Sequence, residues 1–160
     1  MARILVLGYG NPLRADDGLG WQVAVQLFRA NASPDVHVIP CHQLTPDLAE
    51  TASFAELVLF IDCSRKGIPG ELRCEEIFSQ SGPTSFTHDL SPAVLLALAA
   101  ELFGVCPKAY LFSICGENFE AGEELSGTVS NRVPELKMMV RRRIEEFVSA
   151  ASGSGRVMVC

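Results

Sequence analysis

Three observations predict an α/β fold, with helices on both faces of a mostly parallel sheet. Short apolar runs alternate with stretches of helical periodicity along the chain. The run Leu57-Val58-Leu59-Phe60-Ile61 contains no polar residue before Asp62, as in a central strand covered on both faces. The first apolar run leads directly into a glycine turn and a helix, the usual junction of open α/β sheets.

Five strands are expected, at Ala2–Gly8, Val36–Pro40, Leu57–Asp62, Glu71–Phe78 and Ala109–Cys115. The fourth mixes Glu71, Arg73, Glu75 and Glu76 with apolar residues, which suits an exposed edge. The first helix should run from about Gly18 to Ala30. Its polar residues Gln22, Gln26 and Arg29 form one narrow stripe, and Asp16 is placed to cap it. A short helix should follow Thr45-Pro46-Asp47. A third, from Ser91-Pro92 to about Phe103, is apolar nearly all round, ends at Gly104 and should be deeply packed. The last covers about Val133 to Val148, with Val133, Leu136, Val140, Ile144 and Phe147 on one face. Residues 1–150 are expected to form one domain, and the Ser/Gly-rich stretch in 151–160 a flexible tail.

Composition narrows the function classes. Hydrophobic residues are 48% and charged residues 20%, an ordinary globular balance. A net charge of −6 leaves no basic face for nucleic acid. The Arg141-Arg142-Arg143 cluster is followed by Glu145 and Glu146 and reads as a solvated face. No stretch reaches the ~18 apolar residues of a membrane span, and the N-terminal run is too short for a signal peptide. The six cysteines show no C-x-x-C pair and no framework spacing, so a reduced, cytoplasmic protein without an internal disulfide is expected.

The chemistry centres on Gly8-Tyr9-Gly10-Asn11-Pro12-Leu13-Arg14-Ala15-Asp16-Asp17-Gly18-Leu19-Gly20. A strand, glycine turn and helix usually cradle a phosphate. Here two aspartates stand where a pyrophosphate would sit, and Leu13 occupies the place of the third glycine of a dinucleotide motif. The loop has the shape of a nucleotide site and the charge of a cation site.

Ligands in such sheets bind beyond the carboxyl ends of the strands. Asp17 follows the first strand and Asp62 ends the third; His88 lies between the fourth strand and the third helix. Two carboxylates and an imidazole, with positions left open, suit a borderline divalent ion such as zinc, nickel or iron. Each also has a plainer reading: Asp17 as a cap or dipole partner, Asp62 as a turn stabiliser, His88 as a surface residue. Their coincidence at predicted strand ends favours the metal reading. His37 reads as structural and His42 as a rim candidate. A competing enzyme reading would use Cys63 or Cys115 as nucleophile with His88, although neither thiol sits at a clear helix N-terminus. No G-x-S-x-G elbow occurs.

At these residues the chain resembles the hydrogenase maturation proteases, endopeptidases that trim the large subunit of nickel-iron hydrogenases. The resemblance rests on G8-x-G10-N11-x-L13-x-x-D16-D17-G18-x-G20, on Asp62 closing an apolar strand, and on His88 before an apolar helix. It continues through Gly116-Glu117-Asn118-Phe119-Glu120 and Leu125-Ser126 to Val133, and covers the chain to about residue 149. It implies a three-layer α/β/α fold with a twisted five-stranded sheet, one strand antiparallel. It implies a nickel-recognising site at Asp17, Asp62 and His88, whose catalytic and metal-binding roles are not separable. The nickel is carried by the substrate and is absent or replaced by another divalent ion in isolated protein. The implied reaction is release of a C-terminal peptide from the nickel-loaded large-subunit precursor. The implied protein is a cytoplasmic monomer, with no nucleic-acid or membrane partner. Many members carry Glu at the position of Asp17, so here the turn must sit closer to the ion. Cys41 to Pro46 is the implied selector among hydrogenases. Hydrolysis by metal-activated water and acid/base action by an aspartate both remain open, as does a non-catalytic metal-recognition or chaperone module using the same three residues.

Overall fold

The computed structural model describes residues 3–80 and 90–153. The sheet order is β2-β1-β3-β5-β4, with β1 at Ile4–Tyr9, β2 at Val36–Cys41, β3 at Leu57–Ser64, β4 at Leu72–Glu76 and β5 at Lys108–Cys115. β1 runs parallel to β2 and β3, and β3 parallel to β5; β4 alone is antiparallel. β3 is thus the central strand, and Leu57 to Ile61 are all buried. β4 forms one edge, and its second half is exposed.

Two apolar layers enclose the sheet. On one face α1 (Leu19–Ala30) and α5 (Val133–Ala151) bring Leu19, Val23, Val133, Leu136 and Val140 against Ile4, Val6, Leu59, Ile61 and Phe112. On the other, α2 (Leu48–Ser53) and α3 (Pro92–Phe103) bring Leu48, Ala52, Leu95, Leu96 and Ala99 against Leu5, Leu7, Val58 and Phe60. The alternation along β1 and β3 divides the strands between the layers. Burying one Leu- or Phe-sized side chain contributes about 1.5–3 kcal/mol, so the fully enclosed Phe60 and Phe112 are major anchors.

The local signals account for several ends. Ser91 accepts a hydrogen bond from the Val94 amide at 3.2 Å, Pro92 opens α3, and Gly104 closes it at φ 67°. A short helix α4 (Gly127–Ser130) is capped by Ser126 and leads toward α5.

Some expectations need correction. α3 is packed on one side only: Leu95, Leu96 and Ala99 are buried, while Leu102 and Phe103 are exposed. All-round apolarity does not create a second covering layer. Asp16 does not cap α1, which begins at Leu19 without a side-chain cap; a 3₁₀ turn at Ala15–Gly18 intervenes. Arg143 is not simply solvated, because its guanidinium lies 4.1 Å from the centre of the Tyr110 ring. Cys41, Cys63, Cys74 and Cys115 are free thiols, but Cys106 is disulfide-bonded. Spacing arithmetic finds frameworks, and one bridge leaves no spacing pattern. The expected tail lies outside the described residues from 154 onward.

Candidate active site

The opening motif is built for close approach of backbone rather than for a phosphate. A Cβ on Gly20 would collide with the carbonyl oxygens of Ile61 and Tyr9, so its absence seats α1 directly on β1 and β3. Gly10 turns the chain at φ 144°, where a side chain would strike the Asp17 carbonyl. The turn therefore folds tightly and sets Asp17 just beyond the carboxyl end of β1. One Asp17 oxygen, Oδ2, accepts the Asn11 amide at 3.0 Å. The other, Oδ1, lies 3.7 Å from Nη2 of Arg65.

Asp62 occupies the carboxyl end of the neighbouring strand. Gly8 pairs with Ile61, which brings Tyr9 beside Asp62. The Asp62 Oδ1 accepts the Cys63 amide at 2.7 Å. Burial pushes its carboxyl up to about 7; the nearby Asp17 adds to this, while the Cys63 amide, the Tyr9 hydroxyl and Arg65 oppose it. The same burial, with Asp62 close by, raises the Tyr9 phenol far above its ordinary range. Asp62 is therefore a carboxyl whose protonation changes near neutrality.

Asp17 and Asp62 line one cleft of about 590 Å³ at the carboxyl edge of the sheet, together with Tyr9, His42 and Arg65. Leu90, Ser91 and Pro92 also line it. His88 lies outside the described residues. Among the described residues no group of three His, Cys, Asp or Glu side chains is placed to hold a metal. The two carboxylates could offer two oxygen donors to a divalent ion. His42 is among the residues lining the cleft, with its ring 6.3 Å from that of Trp21; His37 is exposed on β2.

Two contributions went unread in the sequence and a third was misread. Tyr9 was hidden as a variable letter between two glycines. Arg65 follows Asp62 by three residues, so the strand-end logic that selected Asp62 could have found it. Asp16 is fully buried and accepts the amides of Glu117, Asn118 and Ser126 and the Ser126 hydroxyl. It anchors the 117–126 loop to the 3₁₀ turn.

The cysteine reading loses support. Burial, followed by the charges of Asp62, Asp16 and Asp17, pushes the Cys63 thiol up to about 12. Cys115 is buried, with its Sγ 3.8 Å from the Gly116 carbonyl oxygen.

No protein-family model and no curated protein sequence matches the chain. Solved structures do. The hydrogenase maturating endopeptidase HybD from E. coli is 25% identical and superposes with a TM-score of 0.74 over 90% of this chain and 93% of its own. The [NiFe] hydrogenase maturation protease HycI from Thermococcus kodakarensis KOD1 is also 25% identical, with a TM-score of 0.72 over 88% and 91%. The solution structure of an endopeptidase from Escherichia coli gives 25% identity and a TM-score of 0.72 over 98% and 97%. The chain has the three-layer α/β/α architecture of these peptidases. Within that class, the solved structures that the chain resembles are hydrogenase maturation proteases.

Proposed function

We propose that this protein removes a C-terminal peptide from the nickel-loaded large-subunit precursor of a nickel-iron hydrogenase, acting as a cytoplasmic monomer. In this reading Asp17, Asp62 and His88 recognise the nickel that the substrate carries. The observation that carries it is the convergence of Asp17 and Asp62 in one cleft, in a fold shared with hydrogenase maturation endopeptidases.

The chain's own groups have distinct roles. Asp17 presents charge to the metal-bearing end of the substrate. Asp62, with its carboxyl near 7, accepts or returns a proton beside the scissile peptide or contributes an oxygen to the ion. Substrate-borne nickel would polarise a carbonyl or a water next to these carboxylates. His42, Gln43 and Leu44 of the Cys41–Pro46 segment line the cleft, where the segment can select among precursors.

Incubation with a co-expressed, nickel-loaded precursor tests the reading. Wild type should shorten the precursor. His88→Ala, Asp17→Asn and Asp62→Asn should remain folded and leave it full length. Cleavage that survives Asp17→Asn and His88→Ala would overturn the proposal. Binding without cleavage by wild type would favour the non-catalytic metal-recognition module.

A further inference from the structure

Arg65 is held in an unusual way for an exposed arginine. Its side chain is 59% exposed, yet its guanidinium stands 4.0 Å from the centre of the Phe119 ring and 3.7 Å from Asp17 Oδ1. Phe119 packs where a Cβ on Gly116 would otherwise lie, so a small residue on one loop seats the ring that seats the arginine. Stacking holds a guanidinium by its face and leaves its in-plane donors available. Because Asp17 Oδ2 is engaged by the Asn11 amide, the oxygen facing Arg65 is the one a cation would approach from the cleft.

We propose that Arg65 is a positioning residue that serves as a resident counter-ion for Asp17, competing with free divalent cations and yielding to a metal delivered on the substrate. The inference rests on Asp17 being a metal contact, as argued above. Its physical basis is a difference in binding energy between the two forms of the ion. A half-exposed ion pair is weak, so a metal that arrives with the precursor's additional contacts displaces it. A free ion brings no such contacts and faces the competing charge at full effect. Once displaced, the guanidinium remains against Phe119, with its donors turned toward whatever peptide carbonyl or carboxylate enters the cleft.

Calorimetric titration of the full chain with Ni²⁺ alone tests this. Arg65→Met keeps an apolar stem on Phe119 and removes the charge, whereas Arg65→Lys keeps the charge. At low salt the Met variant should bind Ni²⁺ roughly three- to tenfold more tightly than wild type. The Lys variant should stay within about twofold, and high salt should shrink the difference. Phe119→Leu, which loosens the arginine's seat without touching Asp17, should shift affinity in the same direction as Arg65→Met. It serves as the second probe if Arg65→Met does not fold. Unchanged Ni²⁺ affinity in both variants, or no measurable binding in any, overturns the proposal. Asp17→Asn separates the two levels of the argument. If Asp17→Asn weakens Ni²⁺ binding while Arg65→Met and Phe119→Leu have no effect, only the role of Arg65 falls. If Asp17→Asn itself changes nothing, the reading of Asp17 as a metal contact falls with it.

Discussion

Asp16 and Ser126, 110 residues apart, are joined by two hydrogen bonds: the Ser126 amide to Oδ1 at 2.7 Å and its hydroxyl to Oδ2 at 2.9 Å. The amides of Glu117 and Asn118 complete the shell around the same carboxylate. This cross-link ties the loop after β5 to the turn that presents Asp17. It also holds Ala15 at φ 49°, a backbone position that a non-glycine residue seldom adopts. The two aspartates thus divide the labour, Asp16 fixing the turn and Asp17 facing the cleft.

Asp16→Ala should destabilise the protein by at least about 3 kcal/mol, since it orphans several buried donors that each cost ~1–3 kcal/mol when unpaired. Urea unfolding measures this. The wild-type contribution also has a pH sign. Burial alone would raise the Asp16 carboxyl, but the three amides and the Ser126 hydroxyl together lower it. Its contribution is therefore full above the unfolded value near pH 4 and is lost as pH falls through the lower folded value. An Asp16→Ala protein as stable as wild type at pH 7 would contradict the anchoring role.

Gly20→Ala should be far more damaging than Gly104→Ala. The first would force α1 away from the carbonyls of Ile61 and Tyr9, moving the whole strand–turn–helix unit. The second meets open space and carries only the left-handed backbone penalty at φ 67°, about 1 kcal/mol. Thermal denaturation of the two variants side by side checks the order. Similar losses would mean that helix–sheet contact tolerates the extra methyl.

Much of this architecture was legible before any coordinates. Leu57 to Ile61 announced a central strand, and the charged residues of 71–76 announced an edge, because burial on two faces and on one leave different patterns. That one strand runs antiparallel came from the family resemblance, and only the fold shows that it is β4, since hydrophobic pattern does not encode strand direction. The meeting of Asp17 and Asp62 in one cleft was legible, because both follow neighbouring parallel strands at the same sheet edge. Asp16 was misread: an aspartate at a helix entry looks like a cap, and only the tertiary fold brings Ser126 to it. Arg65 and Tyr9 act through neighbours on other elements, which local sequence does not show.

Asp62 predicts a pH dependence of opposite sign to that of Asp16. Its folded carboxyl, near 7, lies above the unfolded value near 4. Between those values the folded state binds the extra proton, so stability falls as pH rises through the window and is level above it. Asp62→Asn removes that titration, so its stability should lose this downward slope and exceed wild type at pH 8. Denaturant midpoints from pH 4 to 8 give the comparison. Parallel curves for the two proteins would show that Asp62 is solvated well enough to ionise normally.

The thiols provide the last test, because they separate the carboxylate site from a cysteine nucleophile. Cys63 lines the cleft and follows Asp62, so position alone would make it a candidate. Its thiol near 12 leaves roughly one molecule in 10⁵ as thiolate at pH 7. The neighbouring Asp62, Asp16 and Asp17 repel a second anion there. Cys115 is enclosed in the sheet and packs as a small apolar side chain. Cys63→Ala and Cys115→Ala should each retain precursor cleavage within about threefold, with a modest stability loss of ~1 kcal/mol from the vacated volume. Iodoacetamide should leave Cys63 and Cys115 unmodified in the native protein, while exposed Cys74 reacts. Loss of cleavage on removing either buried thiol, with the fold intact, would return the cysteine mechanism to first place.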